Sequence, residues 1–158
     1  MGRPDDRRPI RSGGQRAENR RSDRNRPYST KVDTGAENSS LDTRDWQTFE
    51  RDGTTWIRFT LNLDGGDSRT LERPLGRMTM IHRAGSRQER PIVTITLCVG
   101  DVARAVEVNL AERPKLTYRM LLGASFLTGV YVVDVSQSDL TRPTCGGAGA
   151  VRLQGSGP

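Results

Sequence analysis

The stretch Lys31-Val32-Asp33-Thr34-Gly35-Ala36 carries the residue types best suited to chemistry in this chain. A carboxylate stands between an apolar residue and a Thr-Gly pair, and Asn38-Ser39-Ser40-Leu41 follows. Taken alone, Asp-Thr-Gly reads as a strand ending in a turn, in which Asp accepts backbone bonds and Gly supplies an unusual backbone angle. A second short motif, Met120-Leu121-Leu122-Gly123, lies about 85 residues on. Other chemistries find less material. His82 is the sole histidine, so a multi-His zinc site is excluded within one chain, and any Ser-His-Asp or Cys-His centre would have to use that residue. No Gly-Lys-Ser/Thr occurs, so there is no P-loop. Cys98 and Cys145 are too few for a disulfide framework and read as reduced thiols of a cytosolic protein. Asp134, after two valines, reads as a polar strand end, with a second catalytic carboxylate as the alternative.

The elements that must hold these residues are mostly strands. Thr54–Leu63 places Ile57, Phe59, Leu61 and Leu63 on one face, and Asp52-Gly53 before it signals a hairpin with Trp46–Arg51. Trp46 and Trp56 are expected to pack across that hairpin. Pro74–Arg83 offers Met78, Met80 and His82 on one face. Pro91–Val99 alternates through Val93, Ile95, Leu97 and Val99, turns at Gly100-Asp101, and returns in Val102–Leu110. Tyr118–Leu122 and Val130–Val135 are two further strand candidates, with room for one helical turn at Ala124–Thr128. Many short strands with turns between them indicate a sandwich or barrel.

Composition bounds the rest. Of 25 basic residues only Lys31 and Lys115 are lysine. Residues 1–30 hold nine Arg against Asp5, Asp6, Glu18 and Asp23, so most of the net charge of +6 belongs to the beginning of the chain. Residues 1–27 contain one large aliphatic, Ile10, and read as a disordered Arg-rich tail. An arm for RNA or another polyanion is the functional alternative, although no aromatic is interleaved there to stack on bases. A mis-assigned start is a third reading. Residues 28–140 form the expected globular domain, and the Gly-rich 141–158 the expected second disordered tail. No apolar run is long enough to span a membrane, and no apolar stretch follows the first charges as in a secretory signal.

The Asp33-Thr34-Gly35 loop and the Leu121-Leu122-Gly123 strand together resemble the two signature elements of a retropepsin-like subunit. With them go the Phe49…Trp56-Ile57-Arg58-Phe59 hairpin, Glu89-Arg90-Pro91, Arg119 and Val133-Asp134. Over about residues 29–140 the chain resembles a bacterial retropepsin-like aspartic peptidase family long labelled an ATP-dependent zinc protease. Members of that family are linked with RimK, an ATP-grasp ligase that adds glutamates to a ribosomal protein. The resemblance implies an all-β, closed-barrel subunit with one short helix. It also implies a cytoplasmic homodimer in which Asp33 of each copy meets its counterpart at the two-fold axis. Paired carboxylates in such sites share one proton, because like charges about 3 Å apart cannot both ionise cheaply. Thr34 would bond across the axis, Gly35 would aim its N–H at the carboxylate, and Leu121, Leu122 and Gly123 would support the loop. Neither cofactor of the old label has a motif in the chain, so no cofactor and no metal is expected.

The association with glutamate addition implies acidic, glutamate-rich peptide tails as substrates. Arg77, Arg83, Arg87 and Arg90 cluster where a retropepsin places its flap, and planar guanidinium groups suit carboxylates. A solvated basic loop is the alternative there. Two features depart from the family pattern. The Arg-rich stretch stands where the opening strands belong, which leaves sheet edges uncovered. Ala124 stands where Arg is usual after Leu-Leu-Gly. Two other functions stay open: a non-catalytic barrel module that holds acidic peptides, and a nucleic-acid-associated protein acting through its basic arm.

Overall fold

The computed structural model describes residues 28–62, 66, 68–112, 117–145 and 151–156. Residues 1–27 and Leu63 lie outside them. The strands are β1 (Tyr28–Val32), β2 (Ser39–Arg51), β3 (Thr54–Asn62), β4 (Ser68–Pro74), β5 (Arg77–Arg83), β6 (Ser86–Val99), β7 (Val102–Ala111), β8 (Met120–Leu122) and β9 (Val151–Ser156). One helical turn, α1 (Ala124–Leu127), follows β8.

Alternation decides which face each strand buries. In β3, Ile57, Phe59 and Leu61 are sealed while Trp56, Arg58 and Thr60 point outward. In β6, Val93, Ile95, Leu97 and Val99 do the same, and Val106, Val108 and Leu110 of β7 meet them. Truncating any of these to Ala costs about 2–5 kcal/mol. Asp52 and Gly53 both take positive φ (51° and 73°), as a two-residue hairpin turn twisted to suit its strands requires.

Neighbouring strands run β4-β3-β2-β7-β6-β9-β1-β8, with β5 on β6. β8 also returns to β2, through Ser40–Leu121 and Leu41–Met120. The wrap is barrel-like, but that junction is only two residue pairs, not the continuous ladder of a closed barrel. β2 makes it possible by bending. Its first residues pair with β7 and β8, and its later ones with β3. The register slips between Arg44 and Gln47, where Asp45 takes a φ of 54°.

Several expectations change. Val130–Val135 is not a strand. Among the described residues no strand pairs with it, Val132 is 98% exposed, and Asp134 bonds instead to its own downstream residues. The expected strand with Met78, Met80 and His82 on one face is β5, and Met80 on that face is 47% exposed. Cys98 and Cys145 are not free thiols but form a disulfide. Within the stretch expected to be a Gly-rich tail, β9 lies between β1 and β6, parallel to both. It covers the β1 edge that the sequence leaves open. Among the described residues no helix is long and apolar enough to cross a membrane.

Candidate active site

Asp33 sits on the six-residue loop between β1 and β2, half-buried, with Thr34 and Gly35 exposed beside it. The loop is held from beneath by β8 and the start of α1. The Asp33 amide donates to the Leu122 carbonyl (2.9 Å), Ala124 N–H to the Ala36 carbonyl (2.7 Å), and Ser125 N–H to the Glu37 carbonyl (2.9 Å). The Gly123 amide donates to Ser39 Oγ (3.1 Å), and Ser39 is fully buried. This grip explains the glycine. A Cβ on Gly123 would lie 2.6 Å from the Asn38 carbonyl carbon and 2.9 Å from the Ala36 oxygen, both backbone atoms that cannot yield cheaply.

Inside the loop, Gly35 N–H donates to Asp33 Oδ1 at 3.0 Å. A Cβ on Gly35 would stand 3.3 Å from the same oxygen. The carboxylate is thus oriented by the backbone two residues on, and its second oxygen is left for other partners. Leu121 is half-buried and Leu122 sealed in the core.

A second tie fixes β8 from its other end. Arg119 Nη1 donates to Asp42 Oδ2 (2.6 Å), and the Asp42 amide donates to the Arg119 carbonyl (2.8 Å). Asn62 Nδ2 reaches the same carboxylate oxygen at 3.1 Å. Asp42 escaped sequence reading, and Ser39 enters it only as part of the Asn38-Ser39-Ser40-Leu41 run, without a role. Their only signal is a run of polar residues, Ser39-Ser40 and Asp42, at the start of a strand that proves buried on both faces.

Arg77, Arg87 and Arg90 of the β5–β6 hairpin do not share one face. Cross-strand pairing puts Arg77 opposite Ile92 and Thr79 opposite Arg90, so Arg77 and Arg90 share a face. Arg87 pairs with His82 on the other face. Arg77 is engaged by the Glu107 carboxylate, which holds it more firmly in its charged form. Arg90 is 7% exposed. Its guanidinium donates to Gln88 Oε1 (2.8 and 3.0 Å) and to Asn109 Oδ1 (3.2 Å). Asn109 in turn donates to the Ser39 carbonyl. Arg90 therefore ties the hairpin to the base of the Asp33 loop. Arg87 stands exposed, and the Arg83 side chain lies outside what is described.

Asp134 accepts from Ser136 Oγ, Ser136 N–H and Gln137 Nε2, and these bonds hold its carboxyl below the usual range. Such a local turn suits a structural role. Asp134 lies at the rim of a mostly apolar cleft behind β1, between Val32, Leu122 and Leu153 on one side and the 131–141 segment on the other.

Several known proteins resemble this chain. Residues 14–144 match the family model described as RimB-like, retropepsin-like aspartic endopeptidase RimB. A protein of Desulfotalea psychrophila named a probable alpha-L-glutamate ligase is 29% identical over 66% of this chain and 23% of its own length. One of the same name from Parasynechococcus marenigrum is 31% identical over the same shares. The chain thus spans about a quarter of the length of these curated relatives. A crystal structure of a Legionella pneumophila protein of unknown function resembles it with a TM-score of 0.51 and 30% identity, over 60% of this chain and 68% of that one.

Proposed function

The chain belongs to the RimB-like family of retropepsin-like aspartic endopeptidases, and from that premise we propose that it hydrolyses peptide bonds with Asp33 as the reactive carboxylate. One observation carries the reading. The Asp33 carboxylate is aimed by Gly35 N–H on a loop clamped by Leu122, Gly123 and Ala124. One carboxylate per subunit requires a second copy. In the homodimer we propose, the two Asp33 side chains meet at the axis and Thr34, exposed beside them, bonds across it.

The chemistry then balances within the pair. The ionised carboxylate takes a proton from water as its oxygen attacks the scissile carbonyl, and the protonated one donates to the carbonyl oxygen. Collapse returns a proton to the leaving amine. The proposed substrates are glutamate-rich peptide tails in the cytoplasm, with exposed Arg87 rather than buried Arg90 as the surface contact. Arg77 is already engaged with Glu107.

A second reading has its own support. The relatives are named as ligases, and the matched region is a minor part of each. That arrangement suits a non-catalytic module holding acidic tails. Asp33→Asn separates the two. Peptidase action predicts cleavage of a glutamate-tailed peptide by the unaltered dimer, no cleavage by the variant, and unchanged peptide binding. Binding without cleavage by the unaltered dimer would favour the module.

A further inference from the structure

We propose that the Cys98–Cys145 disulfide is a redox latch that holds β9 beside β1 and so governs the Asp33 loop. The inference rests on the peptidase reading for its effect on catalysis, but not for its structural content. Cys98 lies on β6, opposite Arg152 of β9 in the ladder, and is fully buried. Cys145 precedes β9 by six positions and is 8% exposed, between exposed Thr144 and the start of the strand. Both sulfurs face the Gly100 carbonyl (3.7 and 3.6 Å), which also accepts from Thr144 N–H at 2.7 Å. Thr144 and Cys145 are thus fastened to the β6–β7 turn.

What β9 holds without that fastening is slight. It pairs with β1 over four residues and with β6 over three, in parallel ladders that are less stable per residue than antiparallel ones. Val151 and Leu153 add two buried side chains. Yet β9 is the strand between β6 and β1, and β1 runs directly into Asp33. If β9 leaves, the one ladder β1 keeps among the described residues is the three-residue pairing with β8. In the reducing compartment proposed above, a disulfide is typically transient and redox-sensing rather than permanent.

The exchange balances with a dithiol reductant. A thiolate of the reductant attacks Cys145 Sγ, the Sγ–Sγ bond breaks, and Cys98 leaves as a thiolate that takes a proton. The second thiol of the reductant then displaces Cys145 as its thiol, and the reductant becomes a cyclic disulfide.

The test is hydrogen exchange on the full chain, oxidised and reduced by a dithiol, with free thiols counted in each sample. The expected result is exchange on the order of tenfold or more faster in peptides covering β1 and β9 after reduction, with β3 unchanged and protection restored by reoxidation. Cys145→Ser should match the reduced chain and ignore the reductant. Two free thiols in the folded, oxidised preparation would overturn the latch, as would equal β1 exchange in both states. Hydrolysis read on the same samples should fall on reduction. Its absence in both states would remove the peptidase reading and leave the latch to the exchange data.

Discussion

The amide of Asp33 donates to the carbonyl of Leu122 at 2.9 Å, across the 89 positions that separate the two residues in sequence. That bond makes the candidate reactive loop and its supporting strand one unit. Whatever moves β8 moves the carboxylate, and the most informative substitutions are those at the contact between the two.

Gly123→Ala tests the contact directly. The added Cβ meets backbone at 2.6 Å, so either β8 or the 36–38 backbone must shift. We expect a loss of about 1–3 kcal/mol in urea unfolding, with peptide hydrolysis falling further than stability accounts for.

The Asp42–Arg119 pair predicts an asymmetry. The Asp42 side chain is 2% exposed and that of Arg119 is 32% exposed. Arg119→Met leaves a buried carboxylate facing less positive charge and should cost about 3–5 kcal/mol. Asp42→Asn leaves a cation that can turn to water and should cost less. Chemical denaturation of both single variants and the double variant checks the order.

Arg90 and Arg87 should part company. Arg90→Ala removes a guanidinium bonded to Gln88 and Asn109 in a buried setting, and should destabilise by about 1.5–3 kcal/mol. Arg87→Ala should leave stability within about 0.5 kcal/mol. It should raise KM for a glutamate-tailed peptide if the proposed contact operates.

Acid should loosen the β2–β3–β4 layer. Hydrogen bonds from Arg51 and then Arg58 hold the Glu72 carboxyl below the usual glutamate value. A carboxylate lowered in the folded state stabilises above its unfolded value, and that stabilisation is lost as pH falls through the folded one. Arg51 also stacks on Phe49 and Trp56, at 5.1 and 4.4 Å from the ring centroids, so it stays oriented when Glu72 is protonated. Melting temperature against pH should therefore drop in acid for the unaltered chain and flatten for Glu72→Gln. High salt should shrink the difference, because all three charged groups reach solvent.

Much of this molecule is legible in its sequence where burial is one-sided. The alternation in β3, β6 and β7 and the Asp52-Gly53 turn give those strands directly. So do the two motifs that meet at Asp33. Other elements leave weaker traces. β4 (Ser68–Pro74) is polar except for Leu71, because it is the outer strand of its layer. Val130–Val135 carries strand-forming residues, but strands exist only in pairs, and pairing is not written locally. β9 is hidden for the same reason: Val151-Arg152-Leu153 becomes a strand because β1 and β6 leave a gap of its width. The disulfide depends on Cα atoms 6.0 Å apart that stand 47 positions apart in sequence. Arg90 looks like a loop cation until Asn109 and Gln88 close around it.

The direction of β9 has a practical consequence. It runs parallel to β1, with Ser156 beside Lys31 and Leu153 beside Tyr28. A peptide fused downstream of Ser156 therefore leaves the fold next to the Asp33 loop, whereas one fused upstream of Tyr28 departs from the opposite end. If Asp33 acts as proposed, a tag placed directly after Ser156 starts beside its loop and competes with any added peptide, so kinetic measurements call for a chain without one there.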